Sequence, residues 1–266
     1  MRTTRNKSPR PTFQKSVKPS TRSNKKRIDL LLVERGLAPS RQRSQAMLLA
    51  GEVAVAGQLV TKAGALLATD ADIEIHNKVS RFASRGGLKL EGALDDFGIA
   101  VAGKICLDAG SSTGGFTDCL LQHGATRVYA VDVNIRQLDW KLREDPRVAC
   151  VKKNARYLKA SDISEAVALV TLDVSFISAT KVLPALISVA NVRADFLILV
   201  KPQFELERRD ISRGGIVRDP ALHERAIARV VACSEELDLE ILGTRPSRIA
   251  GAEGNQEFFL HARRRG

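Results

Sequence analysis

Short apolar runs alternate with segments that fit helices over the whole chain beyond residue 104. The apolar runs predict seven strands, at residues 104–108, 127–133, 148–151, 168–173, 196–201, 239–246 and 256–263. The segments between them predict helices at residues 115–123, 137–143, 179–189 and 220–237. Regular alternation of this kind favours an α/β fold with a doubly wound, mostly parallel seven-stranded sheet.

A smaller α+β module is predicted ahead of that sheet. Its helices cover residues Ile28–Glu34 and 40–50, its strands lie around Val53–Val55 and Ile73–Ile75, and a connector with a helix at 88–97 follows. Gly36 is expected to end the first helix because glycine tolerates the left-handed conformation there, and Ser40 is a suitable cap for the second.

The basic charge of the chain is concentrated at its N-terminus. Of 42 lysines and arginines, set against 30 acidic residues, ten fall within residues 1–27, where no acidic residue occurs. A segment so rich in charge and poor in apolar residues is expected to be disordered. This tail, residues 1–26, could add non-specific affinity for phosphates, or it could be a dispensable solubilising leader.

Composition excludes several classes of protein. The most apolar run, residues 196–200, is far shorter than the roughly 18 residues of a membrane span. The N-terminus has no apolar core of a signal peptide. The four cysteines are scattered without a C-x-x-C pair, which argues against zinc and disulfides. We therefore expect a cytoplasmic protein with no membrane span and no metal.

The stretch KICLDAGSSTGGFTD, residues 104–118, holds the strongest candidate for ligand binding. An apolar run ends in Asp108 and is followed by a loop containing Gly110, Gly114 and Gly115. Glycines let a backbone adopt positive φ and pass close to a ligand, and the N–H groups of the next helix can meet polar ligand atoms. A nucleotide-like ligand is therefore expected at this turn.

The spacing of the turn distinguishes three ligands. A mononucleotide loop needs lysine where Phe116 stands, and a dinucleotide turn needs glycine where Ser112 stands. The remaining pattern, D-x-G-x-x-x-G-G from Asp108 to Gly115, resembles motif I of the S-adenosylmethionine-dependent class I methyltransferases, which have a Rossmann-like fold. The alternative is an ordinary glycine-rich turn.

Polar residues fall at the carboxyl ends of four predicted strands: Asp108, Asp132, Asp173 and Lys201. Ligands of doubly wound sheets bind outside those ends, so these side chains predict one cleft. Asp132 follows Gly110 by 22 residues, the spacing at which an acid can accept hydrogen bonds from a ribose. Asn154 could present its amide to adenine, or it could be a turn residue.

The loop and the helix after it supply further candidates for the cofactor. Asp108 is expected to order the glycine loop, while Phe116 and Thr117 could pack on the ligand or donate hydrogen bonds to it. The complete set of candidates is Asp108, Gly110, Ser111, Thr113, Gly114, Gly115, Phe116, Thr117, Asp132 and Asn154.

Transfer of a methyl group to a ribose requires help with deprotonation, because the pKa of the hydroxyl is far above neutrality. Lys201 leaves a very apolar strand, and burial can lower the pKa of a lysine. Asp173 would orient that lysine. Taken alone, Lys201 fits a salt-bridged strand edge and Asp173 a turn at least as well.

Two further residues complete a pattern. Lys89 in SRGGLKL, Asp173 in TLDVSFIS, Lys201 in LVKPQFE and Glu257 in GNQEFFL resemble, in order and setting, the K-D-K-E tetrad of the FtsJ-like 2′-O-ribose methyltransferases. By that resemblance Lys201 assists deprotonation of the 2′-hydroxyl, and the other three position and tune it. The likeness departs modestly at Ser111 and at residues 134–135.

Residues 27–79 resemble the S-four RNA-binding module of several RNA-modifying enzymes, and with the tetrad the chain is most similar to the TlyA family of rRNA 2′-O-methyltransferases. The resemblance implies a linker and helix at 80–103 and a methyltransferase domain at 104–266. It also implies a cytidine of small- or large-subunit rRNA as target, in a subunit or an assembled ribosome. RNA contacts are expected from Arg35, Arg41, Arg43, Arg81 and Arg85.

Three alternative functions stay open. A base or tRNA methyltransferase would use the same cofactor, although an N-P-P-Y motif is absent from the sequence. A non-catalytic RNA-binding assembly factor would not need the tetrad. Members of this family have also been called haemolysins, but no segment is long or apolar enough to span a bilayer. The oligomeric state is left open.

Overall fold

The structure, a computed structural model, describes residues 25–75, 81–211, 214–251 and 254–266. Almost all of the predicted basic tail, residues 1–24, lies outside the described residues, as do residues 76–80 of the predicted connector.

Two small sheets and two helices form the N-terminal part. The elements are β1 (Lys25–Arg27), α1 (Ile28–Glu34), α2 (Arg41–Ala50), β2 (Val53–Val55), β3 (Gln58–Leu59), β4 (Leu66–Ala68) and β5 (Ile73–Ile75). β1 pairs with β4, while β2 lies between β3 and β5. As predicted, Gly36 follows α1 with φ +69°, and the Ser40 hydroxyl caps α2 by accepting from the Arg43 N–H. β1, β3 and β4 escaped prediction because two or three residues carry too little pattern.

A buried carboxylate ties α1 to α2. Asp29 is fully buried and accepts two hydrogen bonds of 2.9 Å from the Arg27 guanidinium, one from Arg41 at 3.0 Å and one from Gln45 at 3.2 Å. The hydrogen bonds from Arg27 dominate, so the pKa of Asp29 lies well below its usual range. The apolar core beneath it includes Ile28.

A seven-stranded sheet forms the rest of the molecule. Its strands are β6 (Ile105–Ala109), β7 (Arg127–Asp132), β8 (Val148–Lys152), β9 (Val167–Leu172), β10 (Ala190–Val200), β11 (Leu239–Pro246) and β12 (Phe258–Arg264). Their order is β11-β12-β10-β9-β6-β7-β8, with β12 antiparallel to both neighbours and parallel pairing from β10 to β8. The predicted mostly parallel sheet is therefore confirmed.

Helices cover both faces of this sheet. They are α3 (Arg85–Phe97), α4 (Gly115–Gln122), α5 (Trp140–Glu144), α6 (Leu183–Ile187), α7 (Pro202–Glu205) and α8 (Pro220–Glu236). Cys106 of β6 faces the core formed with α3 and α4, whereas Leu107 faces the core formed with α6 and α8. The strand order reverses between β6 and β9, and such a switch point is where doubly wound sheets bind ligands.

Several predicted boundaries were wrong. The helix expected at 88–97 begins three residues earlier, at Arg85. The helix expected at 137–143 begins only at Trp140, because the Asp139 carboxylate caps the N–H of Lys141. The helix expected at 179–189 is split into a 3-10 turn, Ala179–Lys181, and the short α6. β10 begins at Ala190, six residues before the predicted position 196, because its first half is polar and shows no apolar run. The pairing of that half with β9 is irregular between Ala190 and Asp195.

An ion network lies at the opposite end of the strands from the switch-point loops. It joins β10, β12 and the residue that precedes β6. Asp195 accepts from Lys104 at 3.0 Å, from His261 at 3.1 Å and from Arg263 at 2.7 and 2.9 Å. Burial raises the pKa of Asp195, but the hydrogen bonds from these three side chains outweigh burial and hold the pKa well below its usual range.

Candidate functional site

The glycine loop after β6 passes close to the loop after β9. Gly110 has φ +90° and Gly114 has φ +96°, both in the region that favours glycine. A Cβ at Gly110 would overlap the carbonyl oxygen of Asp173, and one at Gly114 would overlap the side chains of Leu138 and Leu142. The backbone therefore needs glycine at both positions.

Two of the cofactor candidates lie behind the loop. Asp108 and Thr117 are fully buried, and the Thr117 hydroxyl donates to the Asp108 carboxylate at 2.7 Å. Burial, with a contribution from the nearby Asp173 charge, raises the pKa of Asp108 to about 7. Neither side chain lines the cleft, and their hydrogen bond holds the start of α4 in position. Gly114 also lies outside the cleft lining, against Leu138 and Leu142.

Two adjoining cavities open at the carboxyl ends of the strands and form one cleft, because they share Leu49, Gly110, Ser112 and Asp173. The first cavity is lined by four of the cofactor candidates besides Gly110: Ser111, Thr113, Gly115 and Phe116. Ser111 is buried, and its hydroxyl has no hydrogen-bond partner among the residues that the structure describes. An unpartnered hydroxyl beside a cavity is available to a ligand.

The second cavity contains the remaining candidates, Asp132 and Asn154. The Asp132 carboxylate accepts from the N–H of Ser112 at 3.0 Å and from the N–H of Asn134 at 2.8 Å. Asn154 lines the cavity and also caps the next turn by accepting from the Arg156 N–H at 3.0 Å. Asn154 therefore caps a turn, and its position in the cavity wall also allows it to contact a ligand.

Four charged residues from distant parts of the chain meet as two ion pairs. Lys201, directly after β10, lies 2.5 Å from the carboxylate of Asp173, directly after β9, and donates to the Ser175 hydroxyl at 3.1 Å. Lys89 of α3 lies 2.5 Å from the carboxylate of Glu257, just before β12. Lys89 and Asp173 line the same cavity. The arrangement gives two cations and two anions beside the glycine loop.

The direction of the pKa shift at Lys201 differs from the expectation. Burial, with 11% of the side chain exposed, lowers the pKa of Lys201, but the carboxylates of Asp173 and Glu257 outweigh burial and raise it above the ordinary value. Burial does lower this pKa as expected, but the two carboxylates more than offset burial, so the net change is opposite to the expectation. Resting Lys201 is therefore an ammonium ion.

Two of the predicted RNA-binding arginines hold the N-terminal module together. The Arg35 guanidinium donates to the carbonyl oxygens of Ala71, at 2.7 Å, and Thr69. Arg41 donates to buried Asp29. Sequence could not separate these structural roles from RNA contacts, because the partners are distant in the chain.

The other three arginines are differently placed. Arg43 has half of its side chain exposed and lies 3.5 Å from Glu52. Arg81 is 60% exposed and pairs with Glu91 at 2.5 Å. Arg85 donates to the carbonyl oxygen of Leu49 at 3.3 Å and lines the first cavity. Arg85 is therefore part of the cleft wall.

Sequence reasoning missed an exposed aromatic residue at the mouth of the cleft. Phe176 is 92% exposed, has φ +66° and contacts the Phe204 ring at a centroid distance of 5.4 Å. A basic groove continues from it, lined by Arg156, Lys181, Arg208 and Arg229. A phenylalanine in an apolar stretch is normally expected in the core, so no signal marked it as exposed.

The described residues contain neither a candidate metal site nor a candidate membrane span. Among the described residues, no cluster of three or more His, Cys, Asp or Glu side chains could hold a metal ion. In the same part of the chain, no helix has the length and apolar character needed to cross a bilayer.

Known proteins match both parts of the chain. Residues 82–264 match the FtsJ-like methyltransferase family, and residues 26–73 match the S4 domain. A protein of Mycobacterium tuberculosis named 16S/23S rRNA (cytidine-2′-O)-methyltransferase TlyA is 46% identical over 239 residues, which is 89% of each chain. The chain belongs to the TlyA family of FtsJ-like methyltransferases.

Other TlyA-like proteins agree with this membership. YqxC of Bacillus subtilis, named as an rRNA methyltransferase, is 44% identical and covers 90% of this chain and 86% of its own. The solved structure of a protein named as a hemolysin, from Streptococcus thermophilus, has a TM-score of 0.71 at 39% identity, covering 91% of this chain and 90% of that one. The predicted membership of the TlyA family is confirmed.

Proposed function

We propose that this protein transfers a methyl group from S-adenosylmethionine to the 2′-hydroxyl of a cytidine in ribosomal RNA of the small subunit, the large subunit or both. The observation that carries the proposal is the buried pairing of Lys201 with Asp173, which lines the cleft together with Lys89, the partner of Glu257. The name of the M. tuberculosis relative supports the reaction and the substrate.

The cleft fits S-adenosylmethionine, which supplies an electrophilic methyl group when bound. Gly110 lies too close to the Asp173 carbonyl oxygen to carry a side chain, so the backbone of the glycine loop itself lines the cleft, and the buried Ser111 hydroxyl is free to bond a ligand in the described part of the cleft. Asp132 lies at the end of β7, where a carboxylate can accept hydrogen bonds from ribose hydroxyls. Asn154 would face adenine from the same cavity.

Lys201 acts on the nucleophile in this proposal. Once Lys201 has lost its own proton to solvent, the amine can accept the proton of the 2′-hydroxyl as the oxygen attacks the methyl group, and the ammonium that forms holds that proton beside the product. Asp173 and Glu257 keep Lys201 charged at neutral pH. Lys89 balances Glu257, so the cleft does not accumulate uncompensated negative charge.

The RNA chain would follow the basic groove beyond Phe176. Exposed Phe176 offers a ring face to an unstacked base, and Arg156, Lys181 and Arg208 are placed to meet phosphates on either side. The S4 domain would supply a second contact with RNA. A ribosomal substrate would also place the enzyme in the cytoplasm, where the ribosomes are.

Labelled S-adenosylmethionine incubated with separated ribosomal subunits and with intact ribosomes tests this function. Methyl incorporation is expected with the native protein and with the surface control Lys141→Ala. It should fall by about 10²–10⁴-fold with Lys201→Ala, the usual contribution of a positioned base, while cofactor affinity stays within about threefold. Release of dye from liposomes without methyl transfer to any ribosomal substrate would contradict the proposal.

A further inference from the structure

A buried carboxylate, Glu205, stands beside the cleft outside the tetrad. It ends α7, four residues after Lys201, and only 2% of it is exposed. Its two oxygens accept from the Ser178 hydroxyl at 2.5 Å and from the N–H of Ala179 at 2.7 Å. A buried carboxylate with both oxygens engaged holds two segments of chain in a fixed relation.

Those two segments carry the central ion pair. One is the loop of residues 173–178, which begins with Asp173, and the other is Lys201 with α7. The backbone pairing of β9 with β10 ends at Leu172 and Ile198. Beyond that point the two segments meet through side chains, so their relation depends on those contacts.

The contacts form a series from the strand ends outward. The Asp173–Lys201 ion pair and the bond from Lys201 to Ser175 lie nearest the strands. The Phe176–Phe204 ring contact follows, with Phe176 in a backbone conformation uncommon for a non-glycine residue. The bonds to Glu205 close the series. A loop held at its far end by two hydrogen bonds has less freedom to move Asp173 away from Lys201.

We propose that Glu205 is a positioning residue for methyl transfer: it fixes the 173–178 loop against α7, so that Asp173 and Ser175 meet the Lys201 ammonium and Phe176 faces the cleft. The inference rests on the proposed function, because it names a further residue that serves the same site. Glu205 acts through its hydrogen bonds to Ser178 and Ala179, and so through the loop.

Paired variants test whether hydrogen bonding or charge matters. Glu205→Ala removes both bonds and leaves the Ala179 N–H buried without its acceptor. Glu205→Gln keeps one oxygen for that N–H and places an amide where the Ser178 hydroxyl can accept from it. We expect kcat to fall about 10- to 100-fold with Glu205→Ala, as small misplacements of reacting groups do, and to recover with Glu205→Gln. Cofactor affinity should not change.

Two measurements separate positioning from general instability. In the Asp173→Ala background, Glu205→Ala should cost little further activity, because its effect acts through Asp173. Hydrogen exchange of residues 173–182 should accelerate in Glu205→Ala and return to the native rate in Glu205→Gln, with the glycine loop unchanged. Asp195→Asn, which weakens the fold far from the cleft, should lose activity only in proportion to the protein unfolded.

Several outcomes would overturn the inference. Native kcat in Glu205→Ala would do so, as would a loss in Glu205→Gln equal to that in Glu205→Ala, or fully additive losses with Asp173→Ala. A native protein that transfers no methyl group would contradict the proposed function instead, and the exchange experiment would still show whether Glu205 holds the loop.

Discussion

Neutralising Asp173 should shift the pH dependence of methyl transfer to lower pH. Asp173→Asn keeps the size of the side chain and one oxygen, but it removes the negative charge that lies 2.5 Å from Lys201 Nζ. Because that charge raises the pKa of Lys201 above its ordinary value, the ammonium of the variant loses its proton at lower pH.

The size of the effect follows from the ion pair. At an effective dielectric constant of about 20, unit charges at this separation attract by roughly 6–7 kcal/mol, and burial of the ammonium cancels much of that energy. A hydrogen bond to a charged group retains about 1.5–3 kcal/mol. The ratio of ammonium to amine at a given pH should therefore fall about 10- to 150-fold in the variant.

The assay is the rate of methyl transfer at saturating cofactor, measured across the pH range in which Lys201 titrates. The alkaline rise in rate should begin at lower pH in Asp173→Asn, while the maximal rate falls because the lysine is less well oriented. Asp132→Asn is the matched control. The Asp132 carboxylate accepts from the N–H of Ser112 in the glycine loop and from the N–H of Asn134, so the variant should weaken cofactor binding without moving the pH profile. An unchanged profile in Asp173→Asn would refute the assigned role of Lys201.

Four further variants test other parts of the molecule. Gly110→Ala should abolish cofactor binding in a protein that still folds, which calorimetric titration would show, because φ +90° and the overlap with a backbone oxygen exclude a Cβ; native affinity would contradict it. Asp195→Asn should lower stability by about 2–4 kcal/mol, or Tm by about 5–15 °C. That difference should begin to shrink as the pH falls below about 4, where the carboxyl of the unfolded chain takes up its proton, and it should disappear only when the pH falls below the depressed pKa of folded Asp195; a difference that stays constant as the pH falls would contradict the role of Asp195. Arg43→Ala should reduce the salt slope of RNA binding by about one at unchanged Tm, whereas Arg41→Ala should also lower Tm; equal Tm losses would count against this division.

The sequence predicted the parts of the site that strand ends and glycine spacing determine. The sequence predicted that Asp173 and Lys201 lie close together, because neighbouring parallel strands have their carboxyl ends on the same side of the sheet. Gly110 and Gly114 could be identified because a ligand-binding turn needs positive φ. Lys89 and Glu257 carry no such local signal, and only the resemblance to a known tetrad indicated them.

What escaped prediction depends on contacts between distant residues. The sign of the pKa change at Lys201 depends on two carboxylates, one of which lies 56 residues further along the chain. Arg35 could not be recognised as structural, because its acceptors are carbonyl oxygens 34 and 36 residues away. The exposure of Phe176 and the burial of Glu205 follow from the packing of α7, a helix of four residues that shows no periodicity.

Identification of the modified nucleoside is the decisive test of the proposed reaction. Ribosomal subunits and intact ribosomes would be incubated with the native protein and labelled S-adenosylmethionine, and the RNA digested to nucleosides and separated by mass. We predict label in 2′-O-methylcytidine from ribosomal RNA, and at least about 100-fold less of it with Lys201→Ala. Label on a base, or equal incorporation by Lys201→Ala and the native protein, would contradict it.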